Sequence, residues 1–153
     1  MLPKTSEYAL RAMAHLATLP PQTAAASADL AETARIPRHY VSKLMRRLVV
    51  ADLVASQRGH GGGFTLTRAP EAIHFIEILQ AVNFLGDTDS CVFGWEECRS
   101  DDPCPLHSSW TVLKASFLSW AQDTTLANVR DNWVKTGEVQ QSDTLVTLKK
   151  PVS

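Results

Sequence analysis

The sequence predicts a mainly α-helical chain with one small β-hairpin: a winged helix-turn-helix followed by a long C-terminal dimerisation helix. Three observations predict it. Two short apolar-periodic stretches meet at the tight turn Ile36-Pro37, as in a helix-turn-helix unit. A glycine-rich tip, Arg58-Gly59-His60-Gly61-Gly62-Gly63, follows directly between two short strand-like runs. Further along, Leu106, Trp110, Leu113, Phe117 and Trp120 recur at heptad-like spacing.

The elements follow in order. Leu10, Met13, Ala14 and Ala17 lie at helical spacing, which predicts a helix over 5–19 ended by Pro20-Pro21. Ser27 is the expected N-cap of a short second helix reaching about Arg35. Pro37 suits the first position of a third helix, because its missing N–H has no partner there in any case. That third helix carries Val41, Leu44, Met45 and Leu48 on one face and most of its basic residues elsewhere. Ala31 supplies the small side chain that crossing helices need, with Leu30, Ala34, Ile36, Val41 and Leu44 around the corner. The turn position often occupied by glycine is Arg35 here, so strain is expected at that residue. Strands are predicted over 53–57 and 64–66, with the glycine-rich tip as the wing between them. Pro70 precedes a helix predicted over 72–82, with an apolar stripe of Phe75, Ile78, Leu79 and Val82; His74 beside it reads as packed or at the surface. Four glycines near position 60 also suggest a phosphate-cradling loop, but no Gly-Lys-Ser/Thr ending is present and no helix follows directly.

At 153 residues and 44% hydrophobic content the chain suits one domain with an appended element. The expected divisions are a winged helix-turn-helix over 1–83, a ligand loop over 84–105, a dimerisation helix over 106–130 and a polar, weakly ordered tail over 131–153. The seam of the long helix is expected to pack on a twin, with packing on its own domain as the alternative. No secretory leader is expected, since Glu7 and Arg11 interrupt the first apolar run. No stretch approaches the roughly 18 to 20 apolar residues of a membrane span, so a cytoplasmic, membrane-free location is expected. The net charge of −1 decides nothing, but its distribution does. Residues 35–68 hold seven arginines and lysines against Asp52, whereas residues 87–102 hold six acids against Arg99. A basic first half suits phosphate contacts.

All three cysteines fall within the run CVFGWEECRSDDPCPLH, as Cys91, Cys98 and Cys104, with His107 following after two intervening residues. Thiolate and imidazole are donors suited to iron–sulfur clusters or zinc. Clustered, odd-numbered cysteines without a leader argue for ligation or redox chemistry and against a disulfide framework. A structural zinc site of three cysteines and one histidine is an alternative. So is a cluster-free thiol switch in which cysteine pairs oxidise. No second redox motif or substrate constellation is visible, so the chain does not read as an enzyme.

The segments SEYALRAMAHLA, ADLAETARIPRHYVSKLMRRLVVADLV and SQRGHGGGFTLTR, followed by three cysteines before a long helix, resemble the IscR/NsrR/RirA family of bacterial repressors, the Rrf-two family. The resemblance spans about residues 1–129. It implies a homodimeric winged-helix transcription factor holding a 2Fe–2S or 4Fe–4S cluster whose state sets its affinity for promoter DNA. Redox state, nitric oxide or iron supply would be the signal. Carried over by position, Cys91, Cys98 and Cys104 fall on the three cluster cysteines. His107 falls on the histidine ligand of one branch, and Glu7 on the acidic ligand that other branches take from the partner subunit. His107 is preferred because it is local and imidazole is the better borderline donor. In the expected DNA complex, Arg38, His39, Tyr40, Ser42 and Lys43 approach bases and phosphates, and Arg46 and Arg47 fix the backbone register. Tyr40 equally suits the core. Arg58 and His60 at the wing tip are expected to enter a minor groove.

Overall fold

The structure is a computed structural model and describes residues 2–84, 91–94 and 101–132. Helix α1 (Lys4–Thr18) precedes α2 (Ser27–Thr33) and α3 (Arg38–Val50). Strands β1 (Val54–Gln57) and β2 (Gly63–Leu66) form an antiparallel hairpin in which Val54 faces Leu66 and Gln57 faces Gly63. A single 3-10 turn (Pro70–Ala72) leads into α4 (Phe75–Ala81), and α5 (His107–Asp123) is followed by a further helical segment over 126–132. The mainly helical fold, with one hairpin among the described residues, is the winged helix-turn-helix that the sequence predicts.

Helix α1 runs through the middle of this arrangement. Its inner face of Ala9, Ala12, Met13 and Leu16 is buried and continues into Leu30, Leu44, Met45, Leu48, Ile73, Ile78 and Leu79. Burying each of these leucine, isoleucine and methionine side chains stabilises the fold by roughly 1.5–3 kcal/mol relative to exposure. The small Ala9 and Ala12 let neighbouring elements approach closely. The same core takes in Ala121 at the end of α5 and Leu126 beyond it.

Three helices stop in the same way. Arg35, Asp52 and Asn83 have φ of 52°, 57° and 61°, the left-handed region that ends a helix when its last carbonyls must be satisfied. In each case the following N–H reaches back to close the end: Ile36 to Ala31, Leu53 to Leu48 and Phe84 to Leu79, at 2.9, 3.0 and 3.0 Å. Ile36 and Leu53 are then buried and Phe84 packs against the core. The strain expected at Arg35 is therefore present, and it produces the turn between α2 and α3.

Several local expectations shift. Ser27 is the first helical residue of α2, not its cap; Ala26 holds the cap position and supplies no side-chain bond. Pro37 likewise precedes α3 instead of opening it. The helix expected over 72–82 is broken at His74, whose backbone is extended at φ −94° and ψ 152°. The reason is tertiary. His74 bridges Thr125, Phe75 N–H donates to the Thr124 carbonyl at 2.9 Å, and Leu126 N–H donates to the Ile73 carbonyl at 3.0 Å. The His74 ring donates through Nδ1 to the Gln122 carbonyl at 2.5 Å, so it packs against the end of α5.

The wing is also anchored by a residue that carries no strand pattern. Ala25 exchanges both backbone hydrogen bonds with Phe64, at 2.9 and 3.0 Å, extending the hairpin by one bridge. A Cβ on Gly63 would collide with the Ala25 carbonyl, so glycine is required there by close approach.

Three stability measurements test these points. Arg35→Gly should raise unfolding free energy by about 1 kcal/mol, because glycine meets the left-handed turn without steric cost; a lower denaturation midpoint would contradict it. Gly63→Ala should lose roughly 1–3 kcal/mol by overpacking against Ala25, read from the same midpoint. Burial alone would raise the Glu77 carboxyl, but the His74 N–H and the Arg68 guanidinium, bonded at 2.9 and 2.7 Å, together hold it below its ordinary 4.5. A depressed folded pKa contributes stability that is present above the ordinary value and is lost as pH falls through the folded one. Acid titration of stability below about pH 4.5 should therefore be shallower in Glu77→Gln than in the parent.

Candidate nucleic-acid interface and metal-binding loop

Helix α3 divides cleanly. Val41, Leu44, Met45 and Leu48 are buried, while Arg38, His39, Ser42, Lys43 and Arg46 are exposed. Arg38, Ser42 and Arg46 follow one another at intervals of four, as do His39 and Lys43, so these polar groups share one surface. The helix carries no acidic residue, and α2 braces it through buried Leu30, Ala31 and Ala34. An exposed cationic helix face on a braced helix-turn-helix is a surface for a phosphate-lined groove.

Two of the residues assigned to this surface make contacts within the fold. The Tyr40 ring is half-buried, its hydroxyl lies 2.7 Å from Thr5 Oγ1, and it meets the Tyr8 ring edge-on at 5.9 Å. Of the two readings that the sequence left open for Tyr40, the packed one is observed. Arg47 is half-buried and donates to the Val82 carbonyl at 3.4 Å, so it ties α3 to the end of α4. Both are missed by helical periodicity because their partners lie 35 residues away in sequence.

At the wing tip, Arg58 and His60 are exposed. Gly59 and Gly61 take φ of 102° and 77°, and Gly62 N–H donates to the Gly59 carbonyl at 3.0 Å, closing a tight turn between the strands. The tip is thus a narrow projection with two basic side chains.

The cysteine run joins α4 to α5. Cys91 and Cys104 are both buried, and His107, half-buried, opens α5 with its N–H on the Cys104 carbonyl at 3.0 Å. After Cys91 a turn is closed by Gly94 N–H on the Cys91 carbonyl at 2.9 Å. Val92 and Phe93, within that turn, are exposed. Cys98 lies outside the described residues. Among the described residues no three of histidine, cysteine, aspartate and glutamate gather as a metal-holding group. The donor chemistry nevertheless fits a thiophilic centre, because two cysteines shielded from water and an imidazole fall within one seventeen-residue stretch of the chain. Glu7 stands on α1, hydrogen-bonded to Lys4 at 2.8 Å and within 3.5 Å of Arg11. The Lys4 bond, aided by both positive charges, holds its carboxyl below the usual range.

The seam expected on α5 is divided. Phe117 packs on Phe84 at 5.7 Å and Trp120 on Phe75 at 5.6 Å, so its C-terminal half serves its own domain. In its N-terminal half Leu106 and Leu113 are 46% and 59% exposed, and Val112 beside the seam is 67% exposed. Among the described residues no helix is long and apolar enough to cross a membrane.

Known proteins agree with this architecture. Residues 2–132 match the family model Rrf2, described as an iron-dependent transcriptional regulator. The chain is 32% identical over 145 residues to the transcriptional regulator IscR of Yersinia enterocolitica, covering 94% of this chain and 88% of that one. It is 34% identical over 122 residues to a putative helix-turn-helix regulator of Azotobacter vinelandii, covering 80% and 74%. Among solved structures, CymR, the global cysteine regulator of B. subtilis, superposes with a TM-score of 0.73 at 23% identity, over 86% of this chain and 97% of that one. T. potens IscR superposes at 0.67 and 22% identity, over 96% and 93%. These two show the shared fold. Family members are transcriptional regulators, not enzymes. The chain belongs to the Rrf2 family of transcriptional regulators.

Proposed function

We propose that this regulator, most plainly a repressor, binds promoter DNA as a homodimer and that an iron–sulfur cluster held by Cys91, Cys98 and Cys104 controls its affinity. The observation that carries the reading is the position of two buried cysteines at either end of the segment between a cationic winged helix and α5. A group bound there would touch both the DNA-reading half and α5, where Leu106, Val112 and Leu113 are exposed. The IscR relatives support the cluster assignment. His107 is the fourth ligand in this reading, with Glu7 of the second subunit as the alternative. The cluster, 2Fe–2S or 4Fe–4S, would supply a redox-active, nitric-oxide-reactive and iron-dependent centre. Buried Cys91 and Cys104 would shield it, and His107 would tie it to α5.

Arg38, His39, Ser42 and Lys43 would read the major groove, Arg46 would hold the phosphate backbone, and Arg58 and His60 would reach the minor groove beside it. Arg47 and Tyr40 support the helix from behind. Leu106, Val112 and Leu113 would be covered by the second subunit, placing two reading helices about one helical turn apart on the duplex. Such a protein works in the cytoplasm, away from any membrane.

Two measurements test this. Protein purified without oxygen should be coloured and contain iron with acid-labile sulfide, and Cys98→Ser should abolish both. One zinc per chain, or a dithiothreitol-reversible change without iron, would replace the cluster with the zinc or thiol-switch chemistry. On a duplex selected by the protein, Lys43→Ala should weaken binding across sequences and reduce the slope of log K against log salt by about 1. An unchanged slope would remove Lys43 from the phosphate contacts.

A further inference from the structure

We propose that Tyr40 is a positioning residue for DNA binding: its hydroxyl, bonded to Thr5, is the strut that sets the angle of α3 against α1. The proposal rests on the reading above that α3 carries the duplex contacts.

Arg47 ties the far end of α3 to the Val82 carbonyl at 3.4 Å, and the rest of its inward face is apolar, made of Val41, Leu44, Met45 and Leu48. Apolar packing is non-directional, so it holds a helix against its neighbour while leaving rotation and sliding weakly defined. A hydrogen bond is directional and is lost beyond a few tenths of an ångström. The Thr5–Tyr40 bond, at 2.7 Å, is placed where such a constraint has most effect. Tyr40 lies in the first turn of α3, beside His39 and one turn from Lys43, the end from which base-reading side chains project. The Tyr8 ring, edge-on at 5.9 Å and 61°, fixes the plane of the Tyr40 ring and so the direction of its hydroxyl. The Arg11 guanidinium sits over the Tyr8 ring, 5.8 Å from its centroid, and Arg11 itself reaches Glu7 at 3.5 Å. The α1 turn that anchors the reading helix therefore also carries Glu7, and a continuous set of contacts joins the two.

The test uses two nearly isosteric variants, Tyr40→Phe and Thr5→Val, and a 30-base-pair duplex selected by the parent protein from a random library. Affinity is measured well below the unfolding temperature, where a purely structural loss leaves it at the parent value. Each single variant should bind about fivefold more weakly, the equivalent of one neutral hydrogen bond. The double variant should bind no more weakly than either single, because both remove the same bond. Parent-like affinity in both singles overturns the proposal. Weakening by Tyr40→Phe with parent-like binding by Thr5→Val also overturns it, since Tyr40 would then be acting on DNA directly. If the parent selects no duplex at all, the reading of α3 fails and takes the proposal with it.

Discussion

The burial of one face of α1 is the constraint on which the rest depends. Ala9, Ala12, Met13 and Leu16 leave no room for solvent, and α2, α3, β2 and α4 all pack on this helix. A helix with alanines at its contact positions allows close approach but tolerates little change in volume. Helix α3, the hairpin and α4 are therefore positioned by one shared surface. A displacement of α1 would be felt by each of them, which is why its N-terminal turn, with Thr5 and Glu7, occupies a sensitive place.

Around that surface the chain changes direction abruptly, and it does so without glycine. Arg35, Asp52 and Asn83 each accept a left-handed conformation at the end of a helix, followed by an apolar residue that enters or caps the core. The conformational cost at these turns is offset by the satisfied helix carbonyls and by burial of Ile36 and Leu53. The glycines are kept for a different task. Gly59, Gly61, Gly62 and Gly63 build the narrow wing tip, and Gly63 lets the hairpin lie against Ala25.

The basic surface and the cysteine segment share the chain between them in a way that suits a regulator. Exposed cations on α3 and the wing face outward, while Cys91 and Cys104 are withdrawn from water at the ends of an acidic segment. Helix α5 links both: its far end packs on Phe75 and Phe84, and its near end begins at His107.

Periodicity, glycine placement and cysteine spacing are local properties, so the sequence alone determined the helix-turn-helix, the wing, the cysteine run and the apolar seam. Those signals depend on side chains one to seven positions apart. What they could not contain were pairings across the fold. The break at His74, the bridge of Ala25 to Phe64, the bond of Tyr40 to Thr5 and the tether from Arg47 to Val82 all join residues 35 to 51 positions apart. A tyrosine and an arginine on a basic helix have the same local pattern whether they face DNA or their own core. Only tertiary packing distinguished them, because the choice depends on whether a partner such as Thr5 or the Val82 carbonyl is brought within hydrogen-bond reach.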